Sequence, residues 1–340
     1  MRKLTFIFIS SLIPLGINAQ NTDKTIKSDF QYFELHTITK GIYVAIGKDG
    51  ATGCNTGIID NGDYLTLFDP FFSIDPANEL KAVLKKRFPK KKVRYIINSH
   101  WHDDHTKGNQ YFKPEATIIG TQELRDNMLS RFNPNKDQIR ESLNQDLKKY
   151  QIEKTETKNE IYRNEIQQYW IPGITAELKS LSSYQLTPPD LIFSDSILLK
   201  GKDFDINVIS YGSGHTESDI VIWLPHAKVI FMGDLLFVQR HAGMGHGNYF
   251  DWLKYLDKIE LKSPSIFIPA HGSIEGAESV RQLRKYLEFV FLTAKAIAES
   301  GQPIKLEDIA VPEIYSTYWW AYIFKYNVKH VYELIGESKK

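Results

Sequence analysis

Cysteine is all but missing from this 340-residue chain. Cys54 stands alone, so no disulfide can form within the molecule and stability has to come chiefly from a packed core. An excess of either charge is missing too: 42 Lys and Arg face 41 Asp and Glu. So close a balance gives no global pull toward nucleic acid or anionic membranes, which argues against both as partners. Long apolar runs are confined to the first twenty residues, and beyond them no stretch reaches the ~20 residues of a bilayer span. Repeats and low-complexity tracts are absent as well. What remains is long enough for one large domain with an appendage.

What is present begins with an export signature. Arg2 and Lys3 precede an uncharged apolar stretch over 4–16, and Ile17, Asn18 and Ala19 offer a cleavage point before Gln20. Residues 1–19 are read as a signal peptide, with the mature chain periplasmic or secreted and without a stable membrane anchor. Cleavage removes two basic residues and no acid, leaving the mature chain slightly acidic.

Short apolar runs then alternate with turn residues. Strands are expected at 41–46, 56–59, 64–68, 93–98 and 117–120, with a helix over 75–88 that Pro89 stops. Further strands are expected at 191–193, 197–199, 206–210, 220–223, 229–232 and 265–269. Over 277–300 the spacing of Leu283, Tyr286, Leu287 and Val290 predicts a helix. Such strand–helix–strand traffic belongs to a layered α/β fold. The main domain is expected over 30–275 and a C-terminal helical extension over 276–340, with the aromatic tail at 315–332 packed back on the core.

Between 122 and 181 the texture changes. Residues 136–165 hold seven basic and seven acidic side chains, the mark of exposed helices in an insertion. The simpler reading is a structural insertion with a solvated face. The alternative is a partial lid with Tyr169, Trp170 or Ile171 facing inward. The run 81–94, with eight basic residues and no acid, reads as the exposed side of a helix and the loop into a buried strand.

The chemistry concentrates at 99–105, Ser-His-Trp-His-Asp-Asp-His, directly after an apolar run. His100 and His102 are two apart, so in extended chain both imidazoles face the same way. Asp104 and His105 fall past the strand. His215, Asp234 and His271 each follow another expected strand through a short, glycine- or alanine-bearing link. Strand ends meet at one edge of a sheet, where distant residues converge. A zinc site that does chemistry needs three protein ligands and an open position. His100, His102 and His215 supply one such set, and Asp104, His105 and His271 a second. Asp234, with two oxygens, can bridge them, giving two zinc ions per chain. The alternative is a scatter of unrelated histidines, but only His36, His226, His241, His246 and His330 lack a comparable setting.

With Asp69 closing a strand, His-Trp-His-Asp-Asp-His at 100–105, Gly-His-Thr at 214–216, Gly-Asp at 233–234 and Ala-His-Gly at 270–272, the chain resembles the dinuclear metallo-hydrolases of the metallo-β-lactamase superfamily. The resemblance covers about 41–272. It implies a four-layer αββα sandwich with the metals at one edge and transfers all seven ligands position by position. It puts Asp69 behind the ligands, orienting the metal loop. It also implies hydrolysis of an ester, thioester or lactam in a small molecule by metal-bound hydroxide, with Asp104 as the catalytic residue that steers the hydroxide or passes its proton.

Departures from relatives narrow the branch. Lactamases with an Asp-Cys-His second site carry Cys at the place of Asp234 and Lys at the place of Phe237. Those with an Asp-His-His site lack the acid at 234. An antibiotic-hydrolysing metallo-β-lactamase is therefore the alternative. Glyoxalase II-type thioesterases share the pattern at 233–237, and exported, quinoprotein-associated hydrolases match better. Iron-dependent persulfide dioxygenases use a reduced ligand set, against which the complete second set argues. Phe71, Trp101, Met244 and Tyr249 are candidates for the pocket wall. Core or surface packing is the ordinary alternative for each, and Trp101 is the one most expected in the pocket. Gly247 and Asn248 read as turn chemistry.

Overall fold

Pairs of consecutive apolar residues decide the layering. Ile58 and Ile59, Leu67 and Phe68, Ile96 and Ile97, and Ile118 and Ile119 are all buried. Successive strand residues point to opposite faces, so both faces of this sheet are covered. The computed structural model describes residues 24–26, 30–301 and 303–337, and the expected signal peptide lies outside the described residues.

Among the described residues the first sheet follows chain order: β1 (Lys24–Ile26), β2 (Phe33–Thr39), β3 (Ile42–Gly47), β4 (Thr56–Asp60), β5 (Leu65–Phe68), β6 (Val93–Ile97), β7 (Thr117–Gly120) and β8 (Leu191–Ile192). Pairing is antiparallel as far as β5 and parallel from β5 to β8. The second sheet holds β9 (Ser196–Leu199), β10 (Ile206–Gly212), β11 (Asp219–Leu224), β12 (Val229–Phe237) and β13 (Ile266–His271), with only β12 and β13 parallel.

Three apolar clusters mark the spaces between four layers. Ile59, Phe68, Ile97 and Ile119 from the first sheet meet Val208, Ile220, Ile222, Phe231 and Ile268 from the second. Outside the first sheet, helix α1 (Ile74–Arg87) lays Leu80, Val83 and Leu84 on Ile58, Leu67 and Ile96. Along the chain the short α2 (Asp103–Thr106) falls between β6 and β7, and α3 (Gln122–Ser130), α4 (Lys136–Glu156), α5 (Glu160–Glu165) and α6 (Ile171–Ser180) fall between β7 and β8. Outside the second sheet lie α7 (Tyr249–Glu260), α8 (Ala277–Ser300) and α9 (Tyr322–Glu337). Trp252, Leu287 and Phe324, one from each, share a core with Ile230 and Met232. This is the αββα sandwich, and α9 is the aromatic tail folded back on it.

The insertion has two characters. Helix α4 buries no residue, as its charge pattern demands. Residues 160–180 form one continuous helix whose middle, Ile166–Trp170, widens to a π-turn. Pro172 follows at once and has no N–H to give to the preceding turn, a local reason for the irregularity.

Several elements were not expected from the sequence, among them the short β1 and α2. Strand β2 mixes His and Thr with its apolar residues, and α7 is hidden behind Gly247 and Asn248. Asn248 proves to be the N-cap of α7, its side chain accepting from Phe250 N and Asp251 N. Strand β12 also runs five residues further than its apolar stretch suggested. Its pairing with β13 shifts at Gly233 and resumes at Phe237 opposite His271. No helix among the described residues is long and apolar enough to cross a membrane.

Candidate metal centre

Each candidate ligand is delivered by a strand end or the loop beside it. The segment after β6 carries His100, His102, Asp104 and His105, and the turn from β10 to β11 carries His215. Asp234 lies within β12, not after it, and His271 closes β13. Gly233 makes the crossing possible: its φ is +54°, and a side chain there would place Cβ 2.4 Å from Ser99 Cβ.

The structure brings all seven side chains into two groups, His100, His102, His215 and Asp234 in one, and Asp104, His105 and His271 in the other. Four donors held about 2.1 Å from one ion at tetrahedral angles lie about 3.4 Å from each other. In the first group His102 Nδ1 is 2.8 Å from His100 Nε2 and 3.2 Å from His215 Nε2. Asp234 Oδ2 is 3.4 Å from His215 Nε2 and 3.8 Å from His100 Nε2. In the second group Asp104 Oδ2 is 3.4 Å from His105 Nε2 and 3.2 Å from His271 Nε2. Asp234 Oδ1 is 3.6 and 3.5 Å from the same two nitrogens. One carboxylate therefore faces both groups, an oxygen to each.

Two observations test whether the residues fit metal ions. His105 Nε2 and Asp234 Oδ1 are buried and have no hydrogen-bond partner, a costly arrangement unless something else satisfies them. The outer nitrogens of the imidazoles, by contrast, are engaged. His105 Nδ1 lies 2.9 Å from Asp69 Oδ2, His215 Nδ1 2.7 Å from Gly243 O, and His100 Nδ1 2.9 Å from Ser99 Oγ. An N–H donated outward leaves the inward nitrogen as a bare lone pair, which is what an ion takes. Burial lowers the pKa of His100, His102 and His215, keeping them neutral. Burial would lower His105 as well, but the carboxylates of Asp104, Asp234 and Asp69 raise it well above the usual imidazole range. Three acids around one imidazole call for positive charge at that point. The residues fit.

A supporting shell holds the loops. Asp69, fully buried at a φ of +54°, accepts Ser99 N at 2.7 Å while facing His105. Asp219 gathers the His215 turn, accepting from the backbone N–H groups of Gly214, His215 and Thr216 and from the Thr216 hydroxyl. Sequence reasoning missed Asp219, although its place four residues after His215 was in view. It also missed His246, whose Nδ1 lies 3.0 Å from His102 Nε2. His246 sits in a glycine-rich loop and not after a strand, so the signal used for the other histidines was absent.

The two groups open into a cavity of about 400 Å³. Tyr169 and Trp170 from the π-turn line it, as do Phe237, Met244, Trp320, Tyr322 and Tyr326. The insertion is therefore more than a solvated appendage, because its irregular turn walls the site. Of the four sequence candidates for the wall only Met244 lies there. Phe71 is fully buried beneath the first sheet and Tyr249 under α8. Trp101 faces a neighbouring cleft, its Nε1 donating to Glu217 and its ring covered by Arg131.

Comparison with known proteins agrees with this geometry. The family model of the metallo-beta-lactamase superfamily matches residues 49–120 and 150–271, more than half of the chain. A Bacteroides fragilis protein named metallo-beta-lactamase type 2 is 23% identical over 302 residues, covering 86% of this chain and 99% of its own. Among solved structures, a metallo-beta-lactamase from Pontibacter korlensis superposes with a TM-score of 0.54 at 15% identity, over 75% of this chain and 99% of its own. The inverting sec-alkylsulfatase Pisa1 from a Pseudomonas species reaches 0.60 at 16% identity, over 88% of this chain and 50% of its own. At these identities the structural likeness speaks for the fold alone.

Proposed function

Since the chain belongs to the metallo-beta-lactamase superfamily and is thereby a metal-dependent hydrolase, we propose that it is a dinuclear zinc enzyme cleaving a carbonyl-type bond, an ester, thioester or lactam, in a small molecule. The observation that carries this reading is Asp234, one carboxylate reaching two donor groups that each have tetrahedral spacing. Five of the seven donors are imidazoles, which favours zinc over harder ions. His100, His102 and His215 would hold one ion and Asp104, His105 and His271 the other, with Asp234 reaching both. Ions so held lower the pKa of a bound water to about 7 and polarise a carbonyl oxygen.

The chain's own groups do the rest. Asp69, Gly243 O and Ser99 fix imidazole orientation, so the site is formed before substrate arrives. Asp104 is the half-buried acid lining the cavity. With Oδ2 turned to His105 and His271, its Oδ1 is the atom we assign to accepting a proton from the attacking water and returning it to the leaving group. Phe237, stacked on His271 at 5.8 Å, and Trp320, edge-on to it at 5.0 Å, exclude water from that flank.

Elemental analysis of the purified chain tests the reading. About two zinc ions per chain are expected, whereas one iron transfers the assignment to a persulfide dioxygenase. Asp104→Ala is expected to lower ester and thioester hydrolysis by about 10²–10⁴-fold with the circular dichroism spectrum unchanged, and full activity would refute the mechanism. Turnover of nitrocefin as efficient as that of thioesters would put the lactamase reading first. The basic and apolar N-terminal residues support export, tested by N-terminal sequencing of the periplasmic or secreted product for a start at Gln20.

A further inference from the structure

The cavity wall lacks a feature that a site for anionic substrates requires. Among the described residues lining it there is no Lys or Arg. The cations nearby are committed elsewhere. Arg240 packs behind the wall, its guanidinium 5.6 Å from the Trp320 ring and 4.9 Å from Trp319, with Nη1 donating to Val238 O. Arg131 covers Trp101 at 4.2 Å and pairs with Glu217 at 3.0 Å on the rim of the neighbouring cleft. Lys325 lies over the Tyr326 ring, 5.6 Å from its centre, and does not line the cavity.

Several polar groups of the wall are committed as well, although the Trp320 indole N–H is buried without a partner. Asn327 donates to Ala242 O and to the Tyr286 hydroxyl, and its carbonyl oxygen accepts Met244 N. The Trp170 indole N–H is given to Glu165. Burial pushes the Tyr322 phenol up to about 12, so it stays neutral. What the wall does offer is ring surface. Tyr322 and Tyr326 on α9 are 47% and 52% exposed, and beside them stand Tyr169 and Trp170 from the insertion, Trp170 touching Tyr322 at 6.2 Å between ring centres and stacked on Tyr150 at 5.5 Å.

We propose that this site selects neutral carbonyl substrates bearing an aromatic group, seated on the ring surface that the π-turn of the insertion and helix α9 present together, with no Lys or Arg among the described lining residues to anchor a remote carboxylate. The proposal rests on the hydrolase reading above and names its substrate class. A carboxylate placed against these rings would lose water without gaining a cation, which opposes binding. An aryl group gains offset or edge contacts with two or more rings at once.

The experiment compares the phenylacetyl, 4-carboxyphenylacetyl and acetyl thioesters of N-acetylcysteamine on the zinc-loaded full chain. The expected kcat/KM for the phenylacetyl compound exceeds those of the other two by about tenfold or more, the scale of a well-formed apolar pocket. Tyr326→Ala and Trp170→Ala are each expected to lower the phenylacetyl-to-acetyl ratio several-fold. A second readout needs no turnover: quenching of tryptophan fluorescence by N-methylphenylacetamide and by its 4-carboxy counterpart, with tighter binding of the neutral amide expected. Equal or faster hydrolysis of the carboxylated thioester, or tighter binding of the carboxylated amide, overturns the inference and leaves the hydrolase reading standing. No turnover of any thioester together with preferred binding of the neutral amide has the opposite meaning: the pocket assignment stands and the thioester part of the hydrolase reading fails. Absence of both refutes both.

Discussion

Glu165 ties together the two chain segments that wall the cavity, and its removal gives a quantitative test of the architecture. The side chain is 2% exposed. One oxygen accepts the Trp170 indole N–H at 2.5 Å and the other accepts the Trp320 backbone N–H at 2.8 Å. Hydrogen bonds to a charged acceptor contribute about 1.5–3 kcal/mol each, and Glu165→Ala leaves both donors buried without a partner. Against this stands the desolvation of the carboxylate. Burial raises the pKa of Glu165 even though Trp320, Trp170 and the charge of Arg240 all pull it down. The net loss at neutral pH is expected to be about 2–4 kcal/mol once the relieved desolvation is subtracted.

The sign of the pH dependence follows. A carboxyl whose folded pKa lies above its unfolded value contributes most below the unfolded value, and that contribution declines as pH rises through the folded value. The deficit of Glu165→Ala relative to the parent should therefore be largest near pH 4 and smaller at pH 8. Urea unfolding of the chelator-treated proteins across that range measures it, free of the metal site's own proton linkage. A deficit below about 1 kcal/mol at pH 7, or one that grows toward pH 8, would refute the reasoning. In the active protein the same variant should raise KM for the aryl thioester more than it lowers kcat, because the wall loosens while the ligand groups stay in place.

Two other perturbations address the metal centre. Asp69→Asn keeps an acceptor for Ser99 N but turns an amide N–H toward His105 Nδ1, so zinc affinity should fall about 10–100-fold in a chelator competition; an unchanged affinity would mean that Asp69 does not orient His105. Exhaustive chelation should lower the melting temperature, and restoring zinc at 100 times its Kd should return about 2.7 kcal/mol per site, while a melting curve indifferent to zinc would exclude a bound structural role for it.

The ligand set was legible in the sequence because its signals are local. The residues at 100–105 lie within six positions of one another, and His215 and His271 follow apolar strands through links of small residues. Asp69 showed itself only as a carboxylate closing an apolar strand, and its place behind the ligands came from the family resemblance. The pattern of strands was equally readable, since a strand buried on both faces is an unbroken apolar run such as Tyr-Ile-Ile at 95–97. Helix α7 was not, because a capping asparagine after glycine looks like any other turn until the side chain is seen holding two backbone N–H groups.

The wall of the site was out of reach for a different reason. Tyr169 and Trp170 are separated from Trp320, Tyr322 and Tyr326 by about half the chain, and no periodicity links them. Charge-laced helices such as α4 advertise only their solvated face, so the sequence favoured a structural insertion and kept an inward-facing Tyr169, Trp170 or Ile171 as the alternative, and the first two do line the cavity. His246 and Glu165 likewise act through partners distant in sequence, His102 and Trp320. The sequence by itself determined the layered fold and the seven candidate ligands, because spacing along one strand or loop expresses each of these. Only the tertiary structure decided that Trp101 belongs to another cleft and that the described lining of the cavity is aromatic and without a Lys or Arg. Those outcomes depend on which strand ends and helix faces meet, and such meetings leave no mark on neighbouring residues.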